Sequence, residues 1–342
     1  MVFGLGIELL VLFVVFGFMV GVLFGFFGMG GSFLITPTLL ILGYPASVAI
    51  GSGLAFYFGT SVIAVMKHYD VGQVDYKLGA ALFVVLSIGI ELGSRLVFAL
   101  EALGIAELVT GAAYVLLLAG IGLLFLRRAY AIDDEDDADD EDEIDDDEIP
   151  PIAQKIQSYR IPPMISLVSG GRTSLWTVTG AGGGVGLVSG LIGVGGGFIR
   201  MPAIYYLIGT PLTAAVGTSL FAGLFSGAYG AFTYGMQGSV DLAVVGTLLV
   251  GSALGARIGS AATTAVEEDD VIIYFALMML FASAGIAVSE LADWLEIGTL
   301  DVLSVVLLVG SSFFVGLMIL YQFASELDTG EPDARPEAEA DD

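Results

Sequence analysis

The chain has 342 residues, 56% of them hydrophobic, and a formal net charge of −26 although only 14% of residues are charged. Repeated apolar runs of about twenty residues, each long enough to cross ~30 Å of hydrocarbon, exclude a soluble globule and define a polytopic membrane protein. The absence of cysteine excludes disulfides, thiolate metal sites and cysteine nucleophiles, and a single histidine, His68, leaves little room for a metal cluster.

In chain order, apolar spans are predicted at 5–27, 46–66, 78–99 and 104–126, then at 174–192, 212–234, 241–262, 271–291 and 300–322. The opening "MVFGLGIELL" has no basic region, so it reads as a first membrane helix and not as a cleaved signal. Two shorter segments, 32–43 and 197–209, are about half a span long and each contains a proline. They have the form of re-entrant or half-length helices. The run Asp133–Glu148 holds fourteen acidic residues and no basic one, and the tail from Glu326 holds eight more against Arg335 alone. Such blocks repel themselves and cannot form a core. Acid-rich, water-facing segments suit a very salty cytoplasm, and a haloarchaeal origin is expected from them. The segment 152–165 is a candidate for lying on the membrane surface, although its double proline argues against a long helix.

The chain repeats itself. Gly28, Gly30, Gly31 and Pro37 match Gly193, Gly195, Gly196 and Pro202 at a constant spacing; one inserted residue later, Pro45 and Gly51 match Pro211 and Gly217. Internal duplication of this kind marks transporter folds. The expected architecture is an all-α polytopic membrane protein of two homologous repeats. Each repeat has about four transmembrane helices plus a short re-entrant or half-length helix, and an extra transmembrane helix follows at the C-terminus. The expected boundaries are 1–130 for the first repeat, 131–172 for an acidic, largely disordered linker and 173–292 for the second repeat. The extra helix then takes 293–324 and an acidic tail 325–342. Arg127, Arg128, Lys155, Arg160 and Arg172 surround the linker, which puts it in the cytoplasm, and Lys67 and Lys77 put the 67–77 loop on the same side. The loop 235–241 has no basic residue. That asymmetry is a sign of inverted repeats, which require the two short segments to cross.

Glycines four apart let helices approach closely, and Gly17, Gly21 and Gly25, Gly186 and Gly190, and Gly251, Gly255 and Gly259 are assigned to packing. Asp75 and Asp241 are assigned to capping the helices that follow them, and Glu91 and Arg95, four apart, to a mutual ion pair. The adjacent glycines of Gly28-Met29-Gly30-Gly31 and of Gly193-Val194-Gly195-Gly196-Gly197 need another reason. Each run precedes a short helix, whose N-terminus offers unpaired amides and a positive dipole end to an anion. Arg200 lies four residues after Gly196 without a nearby acid and is the leading candidate for attracting an anionic substrate; Thr36 is read as its counterpart in the first repeat. Arg257 is a second candidate. Thr210, Thr213, Thr218 and Ser219, with Ser47 and Ser52 in the first repeat, add neutral hydroxyls that would replace an oxyanion's water shell or bond back to their own helices. The expected substrate-binding set is therefore Gly28, Gly30, Gly31, Ser32, Thr36, Gly193, Gly195, Gly196, Gly197, Arg200, Thr218 and Ser219.

"GFFGMGGSFLITPTLL" and "GLIGVGGGFIRMPAIYYLIG", each followed by its second glycine motif ("GSGL" and "GTSL"), resemble the sulfite exporter TauE/SafE family. The resemblance covers about 1–126 and 174–291. It implies an anion permease of the plasma membrane moving sulfite, sulfoacetate or a related organosulfonate, driven by an ion gradient or the membrane potential. This chain departs from the pattern at Ser32, in its long acidic linker and in the span at 300–322. No catalytic residue, cofactor or metal is expected, the partners being the lipid bilayer and a small anion, with no nucleic acid; self-assembly is left open. The competing classes are a membrane scaffold docking through its acidic segments and, less favoured, an intramembrane protease using Ser189 and His68.

Overall fold

In hydrocarbon every backbone N–H and C=O must be satisfied within its own segment, so apolar runs of this length form helices. The computed structural model describes residues 6–27, 32–68, 74–136, 155, 161–167, 171–263, 268–295 and 297–329. The first half contains α1 (Ile7–Phe27), α2 (Ser32–Ile41), α3 (Ala46–His68), α4 (Tyr76–Ala102) and α5 (Ala106–Asp136). An antiparallel hairpin, β1 (Met164–Ser166) and β2 (Arg172–Ser174), leads into α6 (Leu175–Ile192). Then come α7 (Gly197–Pro202), continued by a π-helical turn over Ala203–Ile208, α8 (Leu212–Met236), α9 (Leu242–Ala262) and α10 (Glu268–Leu295). The last helix runs as α11 (Gly298–Val305), a π turn (Val306–Gly310) and α12 (Ser311–Thr329). Eight of the described helical stretches are long and apolar enough to cross a membrane, and α3, apolar over Ala46–Val62, fills the ninth predicted place.

The linker differs from expectation at both ends. Helix α5 continues through Asp136, past the boundary at 130, and Met164–Ser166 pairs with Arg172–Ser174, its first residues lying where the end of a surface strip was expected. Leu167 is buried there in one apolar cluster with Leu78, Leu82, Val178, Ile204 and Ile208. Most of the acidic run, and the tail beyond Thr329, lie outside the described residues.

The repeats are held together by exchange. Gly17, Gly21 and Gly25 of α1 sit directly on the backbone of Leu248, Ser252 and Ala256 of α9, while Gly251, Gly255 and Gly259 of α9 sit on Val14, Phe18 and Val22 of α1. Equivalent helices α6 and α4 do the same: Gly186 and Gly190 lie on Leu86 and Ile90, and Gly89 and Gly93 lie on the backbone around Leu187. The small-residue faces read from the sequence are these two seams, with backbones too close for any Cβ. In both seams residue numbers rise together, so the paired helices are parallel.

The self-paired helices run the other way. Gly51 of α3 meets Tyr234 of α8, whereas Gly223 and Gly227 meet Tyr57, so α3 and α8 are antiparallel. So are α5 and α10, where Gly111 faces Glu290, the Ser283 hydroxyl donates to the Val115 carbonyl at 3.0 Å, and Gly122 faces Leu280. A two-fold axis that exchanges two antiparallel helices must be perpendicular to them. For helices that span a bilayer the axis lies in the membrane plane, which makes these inverted repeats. The short segments therefore cross. Helix α3 runs parallel to α9, since Ser52 meets Asp241 and Gly59 meets Leu249, and α1 is parallel to α9 as well. The chain between α1 and α3 must return to its starting face, and α2 lies on that return. By the same reasoning α7 carries the return between α6 and α8.

Caps mark the ends of the two-fold frame. Asp75 Oδ1 accepts from the amides of Lys77 and Leu78, and Asp241 Oδ1 from those of Ala243 and Val244, as the sequence predicts. The Asp75 amide donates to Thr218 Oγ1 at 3.0 Å, and the Asp241 amide to Ser52 Oγ at 2.9 Å, so each cap is tied to the opposite repeat. The final helix stands outside the frame, against Met19 of α1 through Gly316 and against Gly285 of α10 through Ser304 and Leu308. Its direction, opposite to α10, brings the C-terminal end of α12 to the face where α5 ends and α6 begins.

Candidate site at the break between α6 and α7

Helix α6 stops because Gly193 takes the left-handed conformation at φ 72°, its amide closing on the Ser189 carbonyl at 2.8 Å. Gly196, also at φ 72°, then opens α7. Two such residues three apart turn the chain sharply, and a side chain at either position would be strained. The break is braced from the first repeat: the Gly195 amide donates to Ser32 Oγ at 2.8 Å, the first residue of α2.

Arg200, one turn into α7, is 2% exposed and the largest fully buried side chain among the described residues. Its Nε donates to Ser219 Oγ of α8 at 3.1 Å, one Nη to the Gly195 carbonyl at 3.3 Å, and the other Nη to Tyr57 Oη of α3 at 2.6 Å. The guanidinium carbon stands 6.0 Å from the centroid of the Tyr57 ring. All three acceptors are neutral. A guanidinium has five N–H donors, so two remain beyond these contacts. A charge buried in a membrane protein costs at least ~2.5–3.5 kcal/mol and is ordinarily paired; the Glu91–Arg95 ion pair, at 2.9 Å, does not include Arg200.

Glycines shape the space around the guanidinium. A Cβ on Gly223 would strike Arg200 and Tyr57 Oη, and one on Gly195 would strike the Tyr57 ring. One on Gly196 would stand 2.7 Å from Ser189 Oγ.

Of the predicted binding residues, the structure brings together Ser32, Gly193, Gly195, Gly196, Arg200 and Ser219, with Gly197 as the first residue of α7. Thr218 points away to the Asp75 cap. Gly28, Gly30 and Gly31 lie outside the described residues. Thr36 is buried near Gly193 and Gly53, but it is not the counterpart of Arg200: in the register set by Pro37 and Pro202 that place belongs to Ile35. Arg257 is exposed near the end of α9 and has no part in the site. Tyr57 was missed by sequence reasoning, although one signal existed. It is an aromatic residue where the second repeat has Gly223. Among the described residues no group of three or more His, Asp or Glu side chains could hold a metal ion.

Inverted repeats, broken half-length helices at their interface and a buried cation at the break define a multi-pass membrane transporter. Residues 13–286 match the sulfite exporter TauE/SafE family, and the chain belongs to that family of membrane anion transporters, not to an enzyme class. It is 28% identical over 252 residues to a probable membrane transporter protein of Xylella fastidiosa, covering 72% of this chain and 82% of that one. It is 25% identical over 273 residues to the probable membrane transporter protein YdhB of Bacillus subtilis, covering 79% and 96%. A third relative, YunE of Bacillus subtilis, is 22% identical over 278 residues, covering 79% and 94%. No solved structure matches the chain at a significant level.

Proposed function

We propose that the protein is a secondary transporter for a small sulfur-containing oxyanion, sulfite, sulfoacetate or a related organosulfonate. The anion is held at the α6–α7 break against Arg200, and the two inverted repeats rock about it to give alternating access. The observation that carries this reading is Arg200, buried at 2% exposure among three neutral acceptors. A cation held that way has charge to offer an incoming anion, and the Tyr57 and Ser219 hydroxyls keep donor hydrogens of their own beside it. The family's description supplies the sulfur chemistry. The basic residues around the linker support a cytoplasmic location for the face where α5 ends and α6 begins, with the start of the acidic tail.

The test is flux of labelled sulfite and sulfoacetate into proteoliposomes carrying the full chain in high salt. Flux is expected with the wild type and strongly reduced flux with Arg200→Gln and Gly196→Val. Wild-type flux from both variants would sink the site, and no flux of any small anion through the wild type would sink the function. Deleting 133–148 should leave flux intact; a loss of partner binding with flux absent throughout would favour the scaffold reading instead.

A further inference from the structure

Among the described residues five buried hydroxyls have no hydrogen-bond partner, and three of them follow one another from α5 to α2. Thr36 Oγ1 of α2, Thr110 Oγ1 of α5 and Tyr114 Oη of α5 belong to residues that are 0% exposed. Buried polar groups are almost always bonded, so three orphans in one region need a reason. Thr110 and Tyr114 lie one turn apart on the same face of α5. The Tyr114 hydroxyl lies against that of Thr36, close enough to feel it although outside hydrogen-bond geometry. One turn before Thr36 on α2 is Ser32, whose Oγ accepts from the Gly195 amide and keeps its own proton to give. Gly195 in turn carries the carbonyl that Arg200 holds.

The other end of the line reaches the surface. Glu107, one turn before Thr110, lines a cavity of about 230 Å³ with Glu290, Ser289, Tyr44 and Pro45. Glu290 reaches back across α5 to Gly111, the neighbour of Thr110. Among the described residues, the other titratable groups around this mouth are Tyr44, the Asp241 carboxylate acting on it, and Glu101, which accepts from Ser47. All are acidic, so the mouth draws cations and repels the anion.

From this arrangement we infer a proton pathway: Glu107 and Glu290 at the mouth, then Thr110, Tyr114, Thr36 and Ser32, ending beside the anion at Arg200. It rests on the transport reading above. Hydroxyls suit the task because each both donates and accepts. A proton taken up by a mouth carboxylate passes to the next oxygen while that hydroxyl releases its own proton onward; residues a turn apart, about 5–6 Å at Cβ, are joined by rotation or a bridging water. The last proton goes to a basic oxygen of the bound anion, the carboxylate of sulfoacetate or an oxygen of sulfite. This lowers the anion's charge, weakens its attraction to Arg200 and couples release to the proton gradient.

The experiment uses the full chain in proteoliposomes with trapped pyranine, the membrane potential clamped, and sulfoacetate as the probe. A sulfoacetate gradient should drive proton movement through the wild type. Tyr114→Phe and Thr110→Val should each cut that proton flux at least tenfold, while equilibrium binding of labelled sulfoacetate stays within twofold of wild type, since neither side chain is among the contacts of Arg200. Full proton flux through Tyr114→Phe would overturn the pathway. Intact sulfoacetate exchange in the wild type with no proton movement, or with sodium movement in its place, would also overturn it while leaving the transport reading standing. Absence of wild-type sulfoacetate exchange would remove the transport reading and this inference with it.

Discussion

The two repeats share a frame and differ at its centre. Asp75 with Thr218 and Asp241 with Ser52 are the same cap drawn twice, with amide contacts of 3.0 and 2.9 Å. The glycine seams of α1–α9 and α6–α4 are likewise mirrored. At the break the likeness ends. Arg200 corresponds to Ile35, its partner Ser219 to Gly53, and its partner Tyr57 to Gly223. Each polar member of the site thus has an apolar or glycine twin. Even the short helices diverge: α2 is an unbroken ten-residue α-helix around Pro37, whereas α7 passes into a π turn after Pro202, with Thr210 Oγ1 donating to the Ile204 carbonyl at 3.0 Å. Duplication supplied a symmetric scaffold. Under the transport reading proposed above, a single cation with acceptors drawn from both repeats gives one central site and not two.

The largest effect should come from undoing the asymmetry. Arg200→Gln should lower anion flux about a hundredfold, and Arg200→Lys, which keeps the charge but loses the three-way fork, at least tenfold. Adding Ile35→Arg to Arg200→Gln should rescue nothing, because Gly53 and Gly223 offer that arginine no hydroxyl; recovered flux in the double variant would show that the repeats are interchangeable. Next is Gly223→Ala. Helix propensity alone would favour alanine by about 0.8–1.0 kcal/mol, yet its Cβ would strike Arg200 and Tyr57, and flux should fall at least tenfold. A neutral result would mean that the guanidinium is free to move. The seams test the frame itself. Gly21→Val and Gly186→Val, at equivalent positions, should each destabilise the protein by about 1–3 kcal/mol through overpacking, read as thermal unfolding in detergent. Unequal losses would break the claim of equivalence. The smallest effects belong to the caps: Ser52→Ala and Thr218→Val should each cost about 0.5–1.5 kcal/mol and leave sulfoacetate affinity unchanged.

Much of this was legible before any coordinates. The spans, the breaks at Gly193–Gly197, the packing glycines and both aspartate caps depend on neighbours within a few residues, where hydrocarbon punishes an unsatisfied backbone at once. Among the described residues, the contacts of Arg200 include no acid, as in the sequence. Thr218 was misjudged because adjacent helical residues point in different directions: Ser219 faces the guanidinium and Thr218 faces the cap.

What the sequence by itself determined is a duplicated membrane protein with two glycine breaks and one unpaired cation beside the second. The tertiary structure decided that the repeats are inverted, that the short segments cross, and that Tyr57 closes the site from 143 residues away. The reason is physical. Local spacing dictates where a helix must stop, but which hydroxyl meets a guanidinium depends on how separate helices pair, and that choice is made by glycine seams whose partners lie in the other repeat.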